Sequence, residues 1–547
     1  MIRLERIHRS LGMGVRPNSY ERIVLVALLI GFSAMKLATN PDPSGSEAGD
    51  GWGYLDVARH VAEGDGLVTS VSVWHMGLDP LPHPSTLYPL WPLLLGNAAR
   101  TVGLDTAARA LPELLYLLSL GLLYLLALRL AETWGTTTIA IGRLPPTLNV
   151  GHVAILVFGL SPVYARHTSL PFAEGLAFTL SFAALLALSG TRGRRPALWA
   201  ALAGVLGGLA YLTRSQLIAV PLAVTASLVW VGLHRPRLRV AAGVSAVAAV
   251  AVCVPWIVHL VSVASPFEPR MLLDFAAYRG TPELAPLERL VPTDSVGAFL
   301  LDRAGGLLVA FHPWRPDSYV ASIGPIAYLV PLAALALLVT AGRRVHALSQ
   351  EEGSVATLAT MLVGLAALAL THASHGVWPA EWQFHWRAGL PLVFLIVPAL
   401  AYLLPRREVP RAGWRIAGLL LTAGSLVYLV LGLPLHVGWR NTPASPAEVA
   451  LSRWLDVQQP LPVSLSTRAR PLSVTGRSNF HWIRCADSWA QTQRYFEVLG
   501  TDYLIVYGHE ERCRFLAGLD PAREPVASFG AGRARIRVFR PFAPGPG

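Results

Sequence analysis

Charge is scarce in this chain. Only 14% of its 547 residues are Asp, Glu, Lys or Arg, while 53% are hydrophobic and the mean hydropathy is +0.47. A soluble globular protein carries about 25% charged residues, so the deficit points to a polytopic membrane protein. Lysine is rarer still. Lys36 is the only lysine in the first half, and nearly all the cations are arginines. Those arginines cluster in short loops between apolar runs, so the net charge of +12 marks membrane orientation rather than a nucleic-acid partner. Cysteine is limited to three residues, too few for a disulfide framework. Cys253 lies inside an apolar run and reads as a small buried residue. Cys485 and Cys513 lie in the polar C-terminal region, where the sequence leaves one bridge open. The phosphate-binding Gly-x-x-x-x-Gly-Lys pattern and dinucleotide-binding glycine patterns are missing, which argues against ATP-driven transport and redox work. No outer loop holds His-x-x-x-His, Cys-x-x-Cys or Asp-x-Asp. His372 and His375 alone are weak support for a divalent metal. The expectation is therefore no cofactor, with a divalent metal left open but unsupported.

Long apolar runs are what the chain has in abundance. A bilayer span needs about 20 residues. Runs approaching that length occur at 23–38, 109–131, 150–165, 171–189, 197–213, 215–233, 240–263, 320–341, 355–372, 388–404 and 414–435, about eleven in all. The polar lead of 22 residues before the first run is long for a signal peptide. The run 86–104 contains Pro89, Pro92, Asn97 and Arg100 and reads as a juxtamembrane or partly inserted segment. The run 299–311 is short and holds Asp302 and Arg303.

Loop charge tests this count. With the N-terminus (1–22) in the cytoplasm and 86–104 not counted as a span, the clusters Arg192/Arg194/Arg195, Arg235/Arg237/Arg239, Arg343/Arg344 and Arg406/Arg407/Arg411/Arg415 all fall inside. The positive-inside rule demands that result. Counting 86–104 as a span moves most of them outside. The domains expected are a cytoplasmic 1–22, a transmembrane domain 23–436 with outer loops 39–108 and 264–319, and a soluble domain 437–547. The expected class is mainly α: a polytopic protein of the plasma (inner) membrane with about eleven transmembrane helices, long extracytoplasmic loops and a small C-terminal α/β domain outside. Long loops usually carry function, so the active face is expected to be extracytoplasmic. The tail has an apolar helical pattern from Ala447 to Leu455 and short strands at Pro462–Leu465, Tyr503–Tyr507 and Arg533–Phe539. Its fourteen arginines against nine acids read as a solvated basic surface, or as contact with anionic headgroups or glycan.

The first outer loop concentrates acids. Residues 39–85 hold seven of them (Asp42, Glu47, Asp50, Asp56, Glu63, Asp65, Asp79) against one arginine, Arg59. Carboxylates near lipid are costly and are kept mostly for chemistry or conduction. Asp50, beside Trp52 and Tyr54 at the membrane lip, is the leading candidate. Its plainer reading is a cap on a helix starting near Trp52. Asp56, six residues on, faces elsewhere on a helix and reads as structural, as does Asp65 between two turn glycines.

Several features line up in order and sidedness. They are Asp50, Tyr54, Ala58, Gly64 and Gly66; His83-Pro84; Tyr88-Pro89; Ser161-Pro162 with Glu174; Gly207 through Arg214; and Pro255-Trp256. Together they resemble the GT-C glycosyltransferases, in the bacterial branch related to protein O-mannosyltransferases and to the lipid A aminoarabinose transferase. The likeness covers roughly residues 20–405, and more loosely the tail. Gly51 stands where the family often has a second acid, and His83 where the aminoarabinose branch commonly has Lys.

The resemblance implies a polyprenyl-phosphate sugar as donor and a lipid, glycan or protein hydroxyl as acceptor, with membrane lipids as further partners and no nucleic acid. It implies inversion in a single displacement, with Asp50 as general base. Arg214 would grip the donor phosphate, since an arginine fork matches phosphate oxygens; its plainer reading is a snorkelling end-of-helix residue. Arg166, in an outer turn with His167, has the same two readings. Arg387, where the loop Trp378–Trp386 enters a span, would face the phosphate. His83 and Tyr88 would line the carrier entry, or simply pack in an aromatic belt. Tyr54 supports Asp50. Glu174 would orient Arg166 or serve the first turn of its own helix. The rival classes are a transporter or flippase of lipid-linked sugars and a non-catalytic membrane scaffold. A transporter should show internal repeats and charged or broken spans near the midplane. No repeat stands out, and the spans are nearly free of charge.

Overall fold

The computed structural model describes residues 19–39, 49–73, 81–85, 87–133, 149–160, 162–169, 171–263, 355–375, 393–403, 445–466, 479–483, 485, 488–508, 510, 513–516, 518–519 and 523–540. Elements are numbered among these residues. The membrane part contains helices α1 (Ser19–Thr39), α2 (Gly49–Glu63), α3 (Leu90–Val102), α4 (Leu104–Thr133), α5 (Val150–Gly159), α6 (Pro162–Ser169), α7 (Glu174–Ser189), α8 (Pro196–Tyr211), α9 (Ala219–Gly232), α10 (Pro236–Val263), α11 (Val355–His375) and α12 (Val393–Leu403). Among the described residues, four helical stretches are long and apolar enough to cross a bilayer: Leu104–Thr133, Glu174–Arg192, Ser215–Gly232 and Pro236–Leu260. The expected spans 320–341 and 414–435 lie outside the described residues.

Most apolar runs became helices at the expected places, because a long run without charge has nowhere to satisfy its backbone in lipid except within a helix. The run 150–165 did not stay whole. It divides into α5 and α6, with Pro162 opening the second helix. Proline removes a helical N–H and clashes with the preceding turn, yet fits the first position of a new helix. The outer turn expected to hold Arg166 and His167 is therefore helical, within α6. Within 86–104, α3 runs for 13 residues. At 1.5 Å per residue it is about 20 Å long, short of a span, and it lies along α2. Gly96 permits that approach: a Cβ there would sit 2.6 Å from the Ala58 carbonyl oxygen. The same device joins α8 to α10, where a Cβ on Gly204 would meet the Ser245 carbonyl oxygen at 2.3 Å. Small residues of this kind let membrane helices pack closely.

The C-terminal region builds a six-stranded sheet from β2 (Val71–Val73), β4 (Val463–Ser466), β5 (Asn479–Trp482), β6 (Tyr503–Tyr507), β7 (Ala527–Phe529) and β8 (Ile536–Phe539), in the order β2-β5-β4-β6-β8-β7. Pairing is parallel from β2 through β6 and antiparallel for β8 and β7. Alternation along β6 explains the two layers. Tyr503, Ile505 and Tyr507 join a core with Leu451 and Leu455 of α13 (Pro446–Asp456), while Leu504 and Val506 join one with Tyr495, Phe496 and Leu499 of α14 (Trp489–Leu499). The helical pattern expected over Ala447–Leu455 is α13, started by a capping box between Ser445 and Glu448. Cys485 and Cys513 are bridged, with an S–S distance of 2.07 Å, and Cys253 is buried and free.

One strand of this sheet comes from far away in sequence. β2 belongs to the segment between α2 and α3 and pairs with β5 in the register Val71↔Phe480 and Val73↔Trp482.

His481 of β5 is fully buried against the Tyr495 ring at 4.8 Å, and neither ring nitrogen makes a hydrogen bond among the described residues. Burial holds it neutral, pushing its pKa down to about 3. The unfolded chain binds this proton below about pH 6.5 and the folded chain does not. Stability should therefore be lost as pH falls from about 6.5, at up to about 1.4 kcal/mol per unit. Pulse proteolysis of the tail in the full-length protein between pH 7 and pH 5 should show this loss, and His481→Phe should flatten the slope. An equal slope in the two proteins would contradict the assignment to His481.

Candidate functional site

Helix α2 carries the leading candidate. It begins at Gly49, so Asp50 lies within its first turn rather than capping a helix that starts near Trp52. The Asp50 side chain lies outside the described residues. The rest of the helix shows how it is fixed. Tyr54, Leu55 and Ala58 pack with Trp91 and Leu95 of α3 and Leu115 of α4. Arg100 of α3 donates to the Val61 carbonyl oxygen at 2.5 Å, closing the far end.

Asp56 is fully buried and structural, as expected. Its carboxylate accepts from Arg59 Nη2 at 2.9 Å, from Thr69 Oγ1 at 2.8 Å and from the Ser70 backbone N–H at 2.8 Å. A buried carboxylate with a cation and several donors is compensated as burial demands. These bonds tie the helix to strand β1 (Val68–Thr69) and to the residue leading into β2. His83 lies in the short strand β3 (His83–Pro84), opposite Thr69, and its Nδ1 donates to the Pro84 carbonyl oxygen at 2.9 Å.

A second group assembles from distant segments. Tyr88 is buried, edge-on to Tyr211 with ring centroids 5.5 Å apart, and 6.2 Å from the Trp256 ring. The Leu90 backbone N–H donates to the Leu212 carbonyl oxygen at 3.1 Å, and Trp91 Nε1 donates to the Pro171 carbonyl oxygen at 2.8 Å. The start of α3 is thus pinned to the segments that supply Arg214 and Glu174. Arg214 Nη1 donates to Glu174 Oε1 at 2.5 Å, and Arg214 Nε donates to Gln216 Oε1 at 3.4 Å. Among the described residues, Glu174 thus pairs with Arg214. The expected partner, Arg166, lies in α6 with its side chain outside the described residues, and Arg387 lies outside them altogether. Gly53 faces Leu87, with a Cβ there 3.3 Å from Leu87 Cδ1. A continuous set of contacts thus runs from the first turn of α2 through Leu87 and Tyr88 to Tyr211 and Arg214.

Sequence reasoning missed one cluster. His60, Glu63 and Asp65 bring their ligating atoms within 4.8 Å of one another. The His60 ring contacts Asp65 Oδ2 through Nδ1 at 2.9 Å and Ser70 Oγ through Nε2 at 2.6 Å. The spacing His-x-x-Glu-x-Asp crosses the end of α2, so no single periodicity announces it. An imidazole and two carboxylates can hold a divalent cation. The cluster lies ten residues from Asp50, about 15 Å along the helix axis.

No protein-family model and no curated protein matches the chain. Solved structures do. The archaeal oligosaccharyltransferase AglB from Archaeoglobus fulgidus, in complex with an inhibitory peptide and a dolichol-phosphate, aligns with a TM-score of 0.51 at 12% identity, over 91% of this chain and 71% of that one. ArnT from Cupriavidus metallidurans bound to undecaprenyl phosphate aligns at 0.51 and 14% identity, over 96% of this chain and 99% of that one. The chain has the fold of the GT-C membrane glycosyltransferases. The arabinofuranosyltransferase AftD from Mycobacteria shares that fold at a TM-score of 0.52 and 17% identity, with 95% of this chain covering 40% of AftD. In this GT-C fold, the match to ArnT covers nearly the whole of both chains.

Arg214→Ala should leave the buried Glu174 carboxylate without its cation and cost about 3 kcal/mol. Thermal unfolding of the purified protein should show the loss, and Arg214→Ala with Glu174→Gln should recover most of it. Equal losses in the single and double variants would deny that the ion pair stabilises this corner.

Proposed function

We propose that the chain is a glycosyltransferase that moves a sugar from a polyprenyl-phosphate carrier to an acceptor hydroxyl on the extracytoplasmic face of the inner membrane. The observation that carries this reading is the convergence of the Asp50-bearing turn, Tyr88 and the Arg214–Glu174 pair at one end of a GT-C helical fold. The dolichol-phosphate bound by AglB and the undecaprenyl phosphate bound by ArnT support a carrier of this chemical type. The disulfide between Cys485 and Cys513 supports a tail outside the cytoplasm, because such bonds persist in oxidising compartments. We place the domains at 1–22 inside, 23–436 in the membrane and 437–547 outside.

In the proposed step the acceptor oxygen attacks the anomeric carbon as its proton passes to the Asp50 carboxylate. The bond between that carbon and the phosphate oxygen breaks on the opposite face, so the configuration inverts. The electron pair leaves with the carrier phosphate. That departing anion needs positive charge more than it needs a proton, and Arg214, oriented by Glu174, supplies it. Arg166 and Arg387 are further candidates for the phosphate. Tyr88 and His83 would border the carrier, and Tyr54 would brace the turn that bears the base. A divalent cation at His60, Glu63 and Asp65 would be too far along α2 to touch the reacting carbon. Such an ion, of the kind present in the Archaeoglobus oligosaccharyltransferase complex with Zn and sulfate, would brace the loop instead.

Asp50→Asn should lower transfer from a labelled polyprenyl-phosphate sugar by about 10²–10⁴-fold, with the thermal midpoint unchanged. Asp56→Asn should instead lower the thermal midpoint, since it disturbs the buried network with Arg59, Thr69 and Ser70. Transfer near the wild-type rate in Asp50→Asn would remove Asp50 as the base.

A further inference from the structure

The tail sheet does not end with tail residues. Its outermost parallel strand is β2 of the first outer loop, and the Phe480 backbone N–H donates to the Ser70 carbonyl oxygen at 2.8 Å. The core on that face of the sheet contains two first-loop side chains, Val71 and Trp52, among Ala447, Leu451, Leu455, Phe480 and Ile505. Trp52 is 7% exposed and lies two residues after Asp50 in the same helical turn. Two turns of the same helix thus belong to different cores: Trp52 to the tail, and Tyr54, Leu55 and Ala58 to the membrane part.

The first turn of a helix lacks intrahelical partners for its N–H groups and frays unless something holds it. A buried tryptophan withdraws about 150–250 Å² from water, enough to set the position of a short turn. We infer that Trp52 is a positioning residue: through it, the tail's hydrophobic core holds the Asp50-bearing turn in register with the acceptor hydroxyl. The inference rests on the reading of Asp50 as base. It adds that the tail, whatever acceptor contacts it makes, is a structural part of the site. The donor side is held differently, by Tyr88 just before α3, Arg214 just after α8 and Glu174 at the start of α7. Loss of the Trp52 anchor should therefore affect turnover and leave donor binding alone, since a misplacement of about 1 Å in a reacting group costs on the order of 10²-fold.

The test uses the full-length protein in lipid nanodiscs. Trp52→Ala should lower kcat at least tenfold while the KM for the polyprenyl-phosphate sugar stays within twofold, and Trp52→Phe should return kcat to within threefold of wild type. Amide hydrogen exchange over residues 49–56 should speed up at least tenfold both in Trp52→Ala and in Leu455→Ala, which alters only the tail side of the core. Wild-type kcat in Trp52→Ala, a loss confined to donor KM, or exchange over 49–56 that ignores Leu455→Ala would each overturn the inference. The exchange result stands apart from catalysis. If Asp50→Asn retained transfer while exchange behaved as expected, the assignment of the base would fall and the tail anchor would remain.

Discussion

Everything at the candidate site depends on one helix being shared by two hydrophobic cores. The helix Gly49–Glu63 leans on α3 and α4 through Tyr54, Leu55 and Ala58, and reaches the tail sheet through Trp52. A carboxylate at the membrane lip is useful only if its backbone is fixed, because side-chain reach cannot correct a wandering helix. Neither core alone would fix this one. The membrane side holds Tyr54, Leu55 and Ala58, and the tail side holds Trp52. Asp56 joins the two, because its carboxylate binds the strand residues Thr69 and Ser70 that lead into the tail sheet.

This arrangement separates two roles for acids that look alike in sequence. Asp56 is fully buried, and its partners within hydrogen-bonding distance are Arg59, Thr69 and the Ser70 backbone. Its charge is consumed by structure. Asp50 sits about 1.7 turns earlier, in the turn next to the one shared between the two cores. The arginine opposite is also defined by its partner. Paired to Glu174, the Arg214 guanidinium is a fixed fork rather than a mobile surface cation, and a fixed fork is the form that suits phosphate recognition.

Much of the helical fold was legible because lipid leaves few alternatives for a long apolar run. Apolar runs such as 109–131 and 355–372 recur as the helices α4 and α11 for that reason. Pro89, Pro92, Asn97 and Arg100 mark 86–104 as less than a span, and the helix within it, α3, runs for 13 residues. The division of 150–165 is encoded by Pro162, a signal that the apolar residues flanking it mask. In the tail, Tyr503–Tyr507 announced itself by length and alternation. β2 did not, since three residues give no periodicity and its partner lies some four hundred positions away. The pairing of Glu174 with Arg214 was hidden for a similar reason: forty residues separate them, and only the pinning of α3 to both segments brings them together.

The account requires residue 50 to face the outside of the cell. The most direct measurement is labelling of a single cysteine at that position, in a chain with Cys253 replaced and the Cys485–Cys513 bridge intact, using a membrane-impermeant maleimide on intact cells. Full labelling before permeabilisation is the expected result. Labelling only after the membrane is opened would place the helix on the cytoplasmic side and contradict the proposed transfer from an outer-leaflet carrier.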